Sequence, residues 1–170
     1  MDLSNLGSVT KSEIFNKIRE DISAFMRISY VDESRPWGGF LCIDEEDTNI
    51  FIEKFFPHLT EDKLQISGKL SPKILIVAPE KRLSWQYHFR RAEIWKVVNG
   101  KVRVVTSETD EEINSEVLSE GMIVELKNGE RHRLIGLDNW GIIAEIWRHT
   151  DSENPSDEKD IVRLQDDFGR

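Results

Sequence analysis

The residues best suited to chemistry in this chain are two histidines, a glutamate and a glutamine in two β-rich stretches. Gln86 and His88 are two positions apart, so a β-strand would place both side chains on one face of a sheet. Glu93 follows a turn predicted at 90–92 and can return to that face, and His132 begins a later strand. Two imidazoles, a carboxylate and an amide oxygen would suit one Zn²⁺, Fe²⁺, Mn²⁺ or Co²⁺ ion. Spacing alone leaves open a second interpretation, in which four unrelated polar residues lie on an exposed face.

The stretches that must position these residues are short, rich in Val, Ile and Trp, and without helical periodicity. They lie at 73–79, 84–89, 93–98, 101–106, 121–126, 131–135 and 142–147. Asn99-Gly100, between two of them, is a strong β-hairpin signal. Short strands at this spacing predict an all-β sandwich or barrel rather than a parallel α/β fold. The segment 107–120 holds six acidic residues and no basic one, and we interpret it as a solvated hairpin excursion.

Segments on either side of the β-rich region complete the predicted organisation. Residues 10–27 are predicted as an amphipathic helix, because Thr10 and Glu13 have capping-box spacing and apolar residues recur at helical intervals. Residues 48–70 are ambiguous, but 49–56 could form a short helix that Pro57 ends, and 60–69 resemble a loop. We expect Asp160 and Arg163 to fix the register of the last segment by polar contacts. The predicted divisions are a helical extension at 1–34, a barrel at 35–150 and a docking C-terminal segment at 151–170.

Composition limits the classes of function. A chain of 170 residues with 38% apolar residues suits one domain. The net charge of −9 argues against a nucleic-acid partner, although a local cluster of Arg and Lys could still bind a small anion. Cys42 is the only cysteine, which excludes an intramolecular disulfide and a thiolate metal site. There is no signal-peptide pattern and no long apolar run, so the expectation is a cytoplasmic protein with no membrane partner.

Both chemistry-bearing stretches resemble the motifs of the cupin superfamily. QYHFRRAEIWKVVNG matches the first motif in spacing, and EGMIVELKNGERHRLIG resembles the second. The chain departs from the usual pattern at Gln86, where most cupins have a histidine, and at Lys127 and Gly136. The resemblance implies an all-β cupin fold, a double-stranded β-helix or jelly-roll-like barrel, here with an N-terminal helix. It also implies one divalent metal ion, with zinc expected, bound by Gln86, His88, Glu93 and His132.

A narrower resemblance is to the type II phosphomannose isomerases, in which a cupin forms the C-terminal part of a bifunctional guanylyltransferase/isomerase. Five segments occur here in the same order as in those proteins: RPWGGF, LSWQYHFRRAEIWKVVNG, GERHRLIG, AEIW and DIVRLQDDFGR. The resemblance covers residues 35–40 and 72–170, and not 1–34 or 41–71. Nothing in the sequence resembles the guanylyltransferase part, so we expect that activity to be absent.

This resemblance implies a metal-dependent aldose–ketose isomerase that converts a sugar phosphate, with mannose 6-phosphate to fructose 6-phosphate as the expected reaction. Glu145 matches a family glutamate and is the candidate catalytic base, although an exposed structural role stays open. Arg91 matches the family's RAE tripeptide and is the first candidate for binding phosphate, with a structural ion pair as the alternative. Arg133 and Lys73 are further candidates for the same role.

Two other functions remain open on the same residues. One is a non-catalytic cupin that binds a sugar or sugar phosphate, and the other is an Fe-dependent oxygenase. The amide of Gln86 disfavours the oxygenase, because a neutral oxygen is a poorer ligand for tuning redox iron. A homodimer is expected because cupins commonly pair through strands. His58 and His149 lie outside both motifs and are predicted to be surface residues.

Overall fold

The structure is a computed structural model that describes residues 9–60, 64 and 68–170. Its described elements include the α-helices α1 (Lys11–Ser23) and α2 (Thr48–Phe55). Its strands are β1 (Ile28–Asp32), β2 (Gly38–Ile43), β3 (Lys73–Val77), β4 (Trp85–Tyr87), β5 (Arg91–Asn99), β6 (Lys101–Ser107), β7 (Asn114–Ser119), β8 (Ile123–Leu126), β9 (Arg131–Gly136), β10 (Gly141–His149) and β11 (Val162–Gln165). Among the described residues, no helix is long and apolar enough to cross a membrane.

The strands form two antiparallel sheets. One has six strands in the order β1-β2-β3-β10-β5-β8, and the other has five in the order β11-β4-β9-β6-β7. Side chains from both sheets, such as Trp95 and Val97 from β5 and Val104 and Leu134 from β6 and β9, form a shared apolar core. The all-β, jelly-roll-like cupin fold predicted from the sequence is therefore confirmed.

The first sheet is covered on both faces, which explains its nearly continuous apolar strands. Alternate residues of β3 and β10, such as Ile74 and Ile142, point away from the second sheet and pack with the buried side chains of α1 and α2. A sheet buried on both sides needs apolar residues at consecutive positions rather than at every second one. Helix α1 begins at the predicted capping box, in which Thr10 and Glu13 exchange hydrogen bonds. The predicted N-terminal helix is confirmed.

All seven predicted strands are present, but the hairpin predicted at Asn99-Gly100 is wrong. Strand β5 pairs with β8 and β10, whereas β6 pairs with β7 and β9. The turn therefore carries the chain from one sheet to the other. Gly100 has φ +79°, and a Cβ there would lie 2.5 Å from the carbonyl oxygen of Trp140, so this close corner requires glycine.

Four strands lie where the sequence pattern did not predict them: β1, β2, β7 and β11. Strand β1 is inside the segment interpreted as a helical extension, and it pairs with β2. Strand β7 is inside the acidic segment 107–120 and pairs with β6, so that segment is a hairpin with its own ladder. Strand β11 lies in the C-terminal segment and pairs with β4. Most of the loop predicted at 60–69 lies outside the described residues.

Candidate functional site

The proposed metal ligands meet between the two sheets. Gln86 on β4 lies directly opposite His132 on β9, and His88 follows just beyond the end of β4. Glu93 is the third residue of β5 in the other sheet. His88, Glu93 and His132 are buried, and each offers a ligand atom within 4.8 Å of the other two. The structure thus brings together three of the four predicted ligands, with Gln86 as the cross-strand neighbour of one of them.

Backbone carbonyls determine which nitrogen of each histidine carries the proton. His88 Nδ1 lies 2.6 Å from the carbonyl oxygen of Asp160, and His132 Nδ1 lies 3.0 Å from that of Glu130. A carbonyl oxygen can only accept, so both Nδ1–H groups donate and both Nε2 atoms are unprotonated, each with a lone pair that can accept a hydrogen bond or bind a metal. Burial lowers the pKa of His88 to about 3 and also lowers the pKa of His132. Both rings are therefore neutral near pH 7, as metal ligands must be.

The unpartnered lone pair of His132 Nε2 indicates whether these residues fit a metal ion. His132 Nε2 is buried and has no hydrogen-bond partner within the described part of the chain. It faces Glu93 Oε2 at 3.5 Å, so a nitrogen lone pair and a carboxylate oxygen oppose each other with no proton between them. A cation would satisfy both atoms, and nitrogen and oxygen donors of this type suit Zn²⁺ or a related divalent ion. The residues fit the implied metal.

Arg91 is the positive charge that contacts this cluster. Its Nε donates to Glu93 Oε1 at 2.7 Å, and its Nη2 lies 3.2 Å from His88 Nε2. The guanidinium also lies on the ring of Trp147, with Cζ 3.6 Å from the ring centroid. Burial by itself would raise the pKa of Glu93, but His88 and Arg91 outweigh it and lower that pKa. Arg91 therefore forms a buried ion pair, and its role in binding phosphate stays a prediction.

The C-terminal segment holds the His88 loop in place. The buried carboxylate of Asp160 accepts hydrogen bonds from the backbone N–H groups of Phe89 and Arg90 and from the hydroxyl of Ser156. The carbonyl of the same residue orients the His88 ring. Such outer contacts fix the orientation of a ligand ring and its basicity. The predicted register contacts are thus made by Asp160, whereas the side chain of Arg163 makes no hydrogen bond among the described residues, so that part of the prediction is wrong.

A cavity of about 150 Å³ adjoins the cluster and contains two more predicted site residues. Glu145 on β10 is only 4% exposed, and it accepts a hydrogen bond from the indole of Trp147 at 2.8 Å. Burial, together with the negative charge of Glu93, raises the pKa of Glu145 to about 7. The ammonium group of Lys73 on β3 lies over the ring of the same tryptophan, 3.5 Å from its centroid, and pairs with Glu158. Both residues line the cavity, as Gln86, Arg91 and Glu93 do.

Other predicted residues lie elsewhere. Arg133 does not line this cavity, because it follows His132 on β9 and therefore points to the opposite face. Its guanidinium donates to the carbonyl oxygen of Leu83 and to Glu112 and Gln165. The surface prediction for His149 is wrong, since this side chain is fully buried. Its Nδ1 accepts the backbone N–H of Ser156 at 3.0 Å, which ties β10 to the C-terminal segment. His58 is exposed, as predicted.

Sequence reasoning missed part of the cavity lining. Arg35, Arg163 and Arg170 reach it from segments far apart in the chain. A signal was present, because RPWGGF contains the first of these arginines and DIVRLQDDFGR contains the other two. Neither motif lies next to the predicted ligands in sequence, so only the fold shows that all these residues share one cavity.

Comparisons with known proteins agree with this fold. The family described as "Mannose-6-phosphate isomerase C-terminal" matches residues 44–166. "Alginate biosynthesis protein AlgA" of Pseudomonas aeruginosa is 31% identical over 124 residues, which are 73% of this chain and 24% of that protein. The Pseudomonas putida protein of the same name is 30% identical over 131 residues, or 75% of this chain and 25% of that protein. The chain thus spans about a quarter of the length of these relatives.

Among solved structures, the capsular polysaccharide assembling protein CapF of Staphylococcus aureus is similar in fold, with a TM-score of 0.58 and 16% sequence identity. The match covers 84% of this chain and 33% of that protein. At this identity the similarity shows the fold alone, whereas the family match covers most of the chain and includes all four predicted metal ligands. The chain belongs to the family of mannose-6-phosphate isomerase C-terminal domains.

Proposed function

We propose that this chain is a metal-dependent aldose–ketose isomerase acting on a sugar phosphate, with mannose 6-phosphate and fructose 6-phosphate as the expected pair. One observation carries the proposal: a cavity lined by Glu93 of the ligand cluster also contains a buried carboxyl, Glu145, whose pKa is raised to about 7. The name of the matching family supports the choice of sugar phosphate. The names of the curated relatives further support a place in polysaccharide biosynthesis.

Isomerisation requires removing a proton from the carbon next to a carbonyl and returning it to the carbonyl carbon, while a second proton moves from the hydroxyl oxygen to the carbonyl oxygen. A base for this step works best when its pKa is close to the working pH, which is the condition that burial creates at Glu145. The indole N–H of Trp147 holds one oxygen of this carboxyl, so the other oxygen is left to accept the proton. In this proposal Glu145 carries the proton from one carbon to the other.

The same chemistry needs positive charge where the substrate's oxygens become negative. A divalent ion held by His88, Glu93 and His132, with Gln86 beside them, would supply that charge as a Lewis acid. The hydroxyl of Ser84 donates to Gln86 Oε1 at 2.6 Å, which orients the amide next to the cluster. Arg91 keeps Glu93 ionised, and so keeps this carboxylate ready to act as a ligand.

A non-catalytic sugar-phosphate-binding cupin is the second candidate, and a specific observation favours it. Arg91 pairs with Glu93 and Lys73 pairs with Glu158, so these two cations are less available to stabilise negative charge that develops on a reacting substrate. Such a protein would keep the same cavity and bind a sugar phosphate without converting it. The two candidates differ in one step only, which is proton transfer at the substrate carbon.

Hydrogen exchange at carbon tests that step directly. The metal-loaded protein is incubated with mannose 6-phosphate in heavy water, and deuterium at C1 and C2 is followed by NMR beside a coupled assay for fructose 6-phosphate. We expect exchange and conversion in the wild type, and a loss of about a hundredfold or more in kcat for Glu145→Gln. Glu116→Gln, on an exposed position of β7, is the matched control and should retain both signals. Tight binding without exchange, across several metals and aldose phosphates, would favour the non-catalytic candidate.

A further inference from the structure

Three guanidinium groups converge on the cavity from chain segments that the catalytic proposal does not use. Arg35 lies in the turn before β2, Arg163 lies on β11, and Arg170 lies beyond that strand. All three side chains line the same cavity as Glu93 and Glu145. A local excess of positive charge is unexpected in a protein with a net charge of −9, because carboxylates are abundant enough to pair every cation.

The three arginines differ in how fully they are paired. Arg170 forms a two-pronged ion pair with Asp166, through Nε and Nη2. Arg35 uses only Nε, which donates to Asp32 Oδ2 at 2.8 Å, so its two terminal nitrogens remain available. Arg163 pairs with β4 through its backbone, but its side chain forms no hydrogen bond or ion pair in the part of the chain that the structure describes. Its whole guanidinium fork is therefore free to bind an anion in the cavity.

The electrostatic surroundings of Arg163 also favour binding of an anion by its guanidinium. Partial burial lowers its pKa, and the positive charges of Arg170 and Arg35 lower that pKa further. Asp166 and Glu158 offset part of this positive charge, but neither forms an ion pair with Arg163, so a bound dianion would relieve the repulsion that remains. A phosphate group carries such a charge, and its geometry matches the planar fork of arginine.

The geometry points to a phosphate subsite formed by Arg163 and Arg35, with Arg170 as a nearby supporting charge. The inference deepens the proposed function, on which it rests for the identity of the substrate, because it states which residues hold the phosphate end of the sugar. It assigns the main role to Arg163 rather than to Arg91, which is engaged by the ligand cluster, or to Arg133, which lies outside the cavity. Lys73 remains a second contact if the sugar phosphate displaces Glu158.

Binding measurements test the subsite without requiring turnover. The affinities of the full chain for inorganic phosphate, mannose 6-phosphate and mannose are measured by calorimetry at constant ionic strength, for the wild type, Arg163→Ala and Arg163→Lys. Removing a charged, forked donor should weaken both phosphate ligands about tenfold to a hundredfold and leave mannose unchanged. The lysine variant should be intermediate, because it keeps the charge but not the fork. Arg103→Ala, an exposed arginine on β6 outside the cavity, is the matched control.

The outcomes separate this inference from the proposed function. A wild type that binds phosphate through Arg163 but shows no deuterium exchange would leave the subsite standing and overturn the isomerase. An active isomerase whose phosphate affinity and KM are unchanged in Arg163→Ala would overturn the subsite and leave the isomerase standing. Equal losses in Arg163→Ala and Arg103→Ala, or a wild type that binds neither phosphate ligand, would also overturn the subsite.

Discussion

Replacing Glu145 by glutamine should stabilise the protein at alkaline pH. The change keeps the shape of the side chain and removes a carboxylate that is 4% exposed. Burial and the charge of Glu93 raise the pKa of Glu145 from an ordinary value of 4.5 to about 7 in the folded chain. Between these two values the folded state binds more protons than the unfolded state, so the free energy of unfolding of the wild type falls as pH rises. The variant has no proton to lose at this position.

The size of the effect follows from the two pKa values. Each pKa unit corresponds to about 1.4 kcal/mol, so the wild type should lose roughly 2–3 kcal/mol relative to the variant between pH 5 and pH 8.5. Burial also lowers the pKa values of His88 and His149 to about 3 and about 4. Those groups make stability rise with pH up to the unfolded value near 6.5, but they do so equally in both proteins. The difference between the two curves therefore isolates Glu145.

Urea unfolding followed by tryptophan fluorescence measures this difference. Chelator-treated wild type, Glu145→Gln and the control Glu116→Gln are unfolded at several pH values between 5 and 9. We expect the free energy of unfolding of Glu145→Gln to rise relative to that of the wild type as the pH increases through the neutral range. The control should have the same pH dependence as the wild type. Loading the wild type with a divalent ion near Glu93 should move the transition to lower pH, because added positive charge favours the ionised carboxyl. A difference curve that is flat, or that falls with pH, would refute the assignment of Glu145 as a carboxyl held near neutrality.

Three further variants test the metal site and the fold. His132→Ala should abolish binding of one divalent ion per chain, measured by metal analysis after dialysis, whereas the exposed His58→Ala should retain it; equal retention in both would contradict the ligand assignment. Asp160→Ala removes three hydrogen bonds to a buried carboxylate, so it should lower the free energy of unfolding by about 3 kcal/mol and metal affinity about tenfold or more. An unchanged midpoint in urea would show that the C-terminal segment does not hold the His88 loop. Gly100→Ala should lower the free energy of unfolding by about 1–3 kcal/mol more than Gly121→Ala, because both positions have positive φ but only the first is crowded. Equal midpoints in urea would contradict the close approach of Gly100 to Trp140 at the corner between the sheets.

The sequence contained the local signals for seven of the eleven described strands and for the capped helix. It failed where a residue's role depends on a distant partner. RPWGGF resembles a turn because it contains proline and two glycines, yet its glycines begin β2. A Cβ at Gly38 would lie 1.9 Å from the carbonyl oxygen of Ile76, so glycine is present because strand β3 approaches closely. A local pattern cannot distinguish that requirement from the flexibility of a turn.

The candidate metal ligands were easier to predict than the rest of the cavity for a related reason. Gln86, His88 and Glu93 lie within eight residues of sequence; strand periodicity aligned the first two, and the resemblance to the first cupin motif added Glu93. Arg163 and Arg35 are more than a hundred positions apart, and only the pairing of β11 with β4 and the sheet order bring both to one opening. His149 was misplaced because its partners, Ser156 and Ser71, lie outside any motif.

The cavity thus has two parts with different origins in the chain. Its chemical part, with Glu93 and Glu145, is built on strands β5 and β10, which pair along almost their whole length at the centre of the six-stranded sheet. Its cationic part, with Arg35 and Arg163, is built on segments at the sheet edges, where side chains are more exposed. Central strands hold catalytic groups rigidly, whereas edge segments can change without disturbing the core. Binding and chemistry should therefore separate in kinetics: substitutions at the edge segments should act mainly on KM, and those on the central strands mainly on kcat.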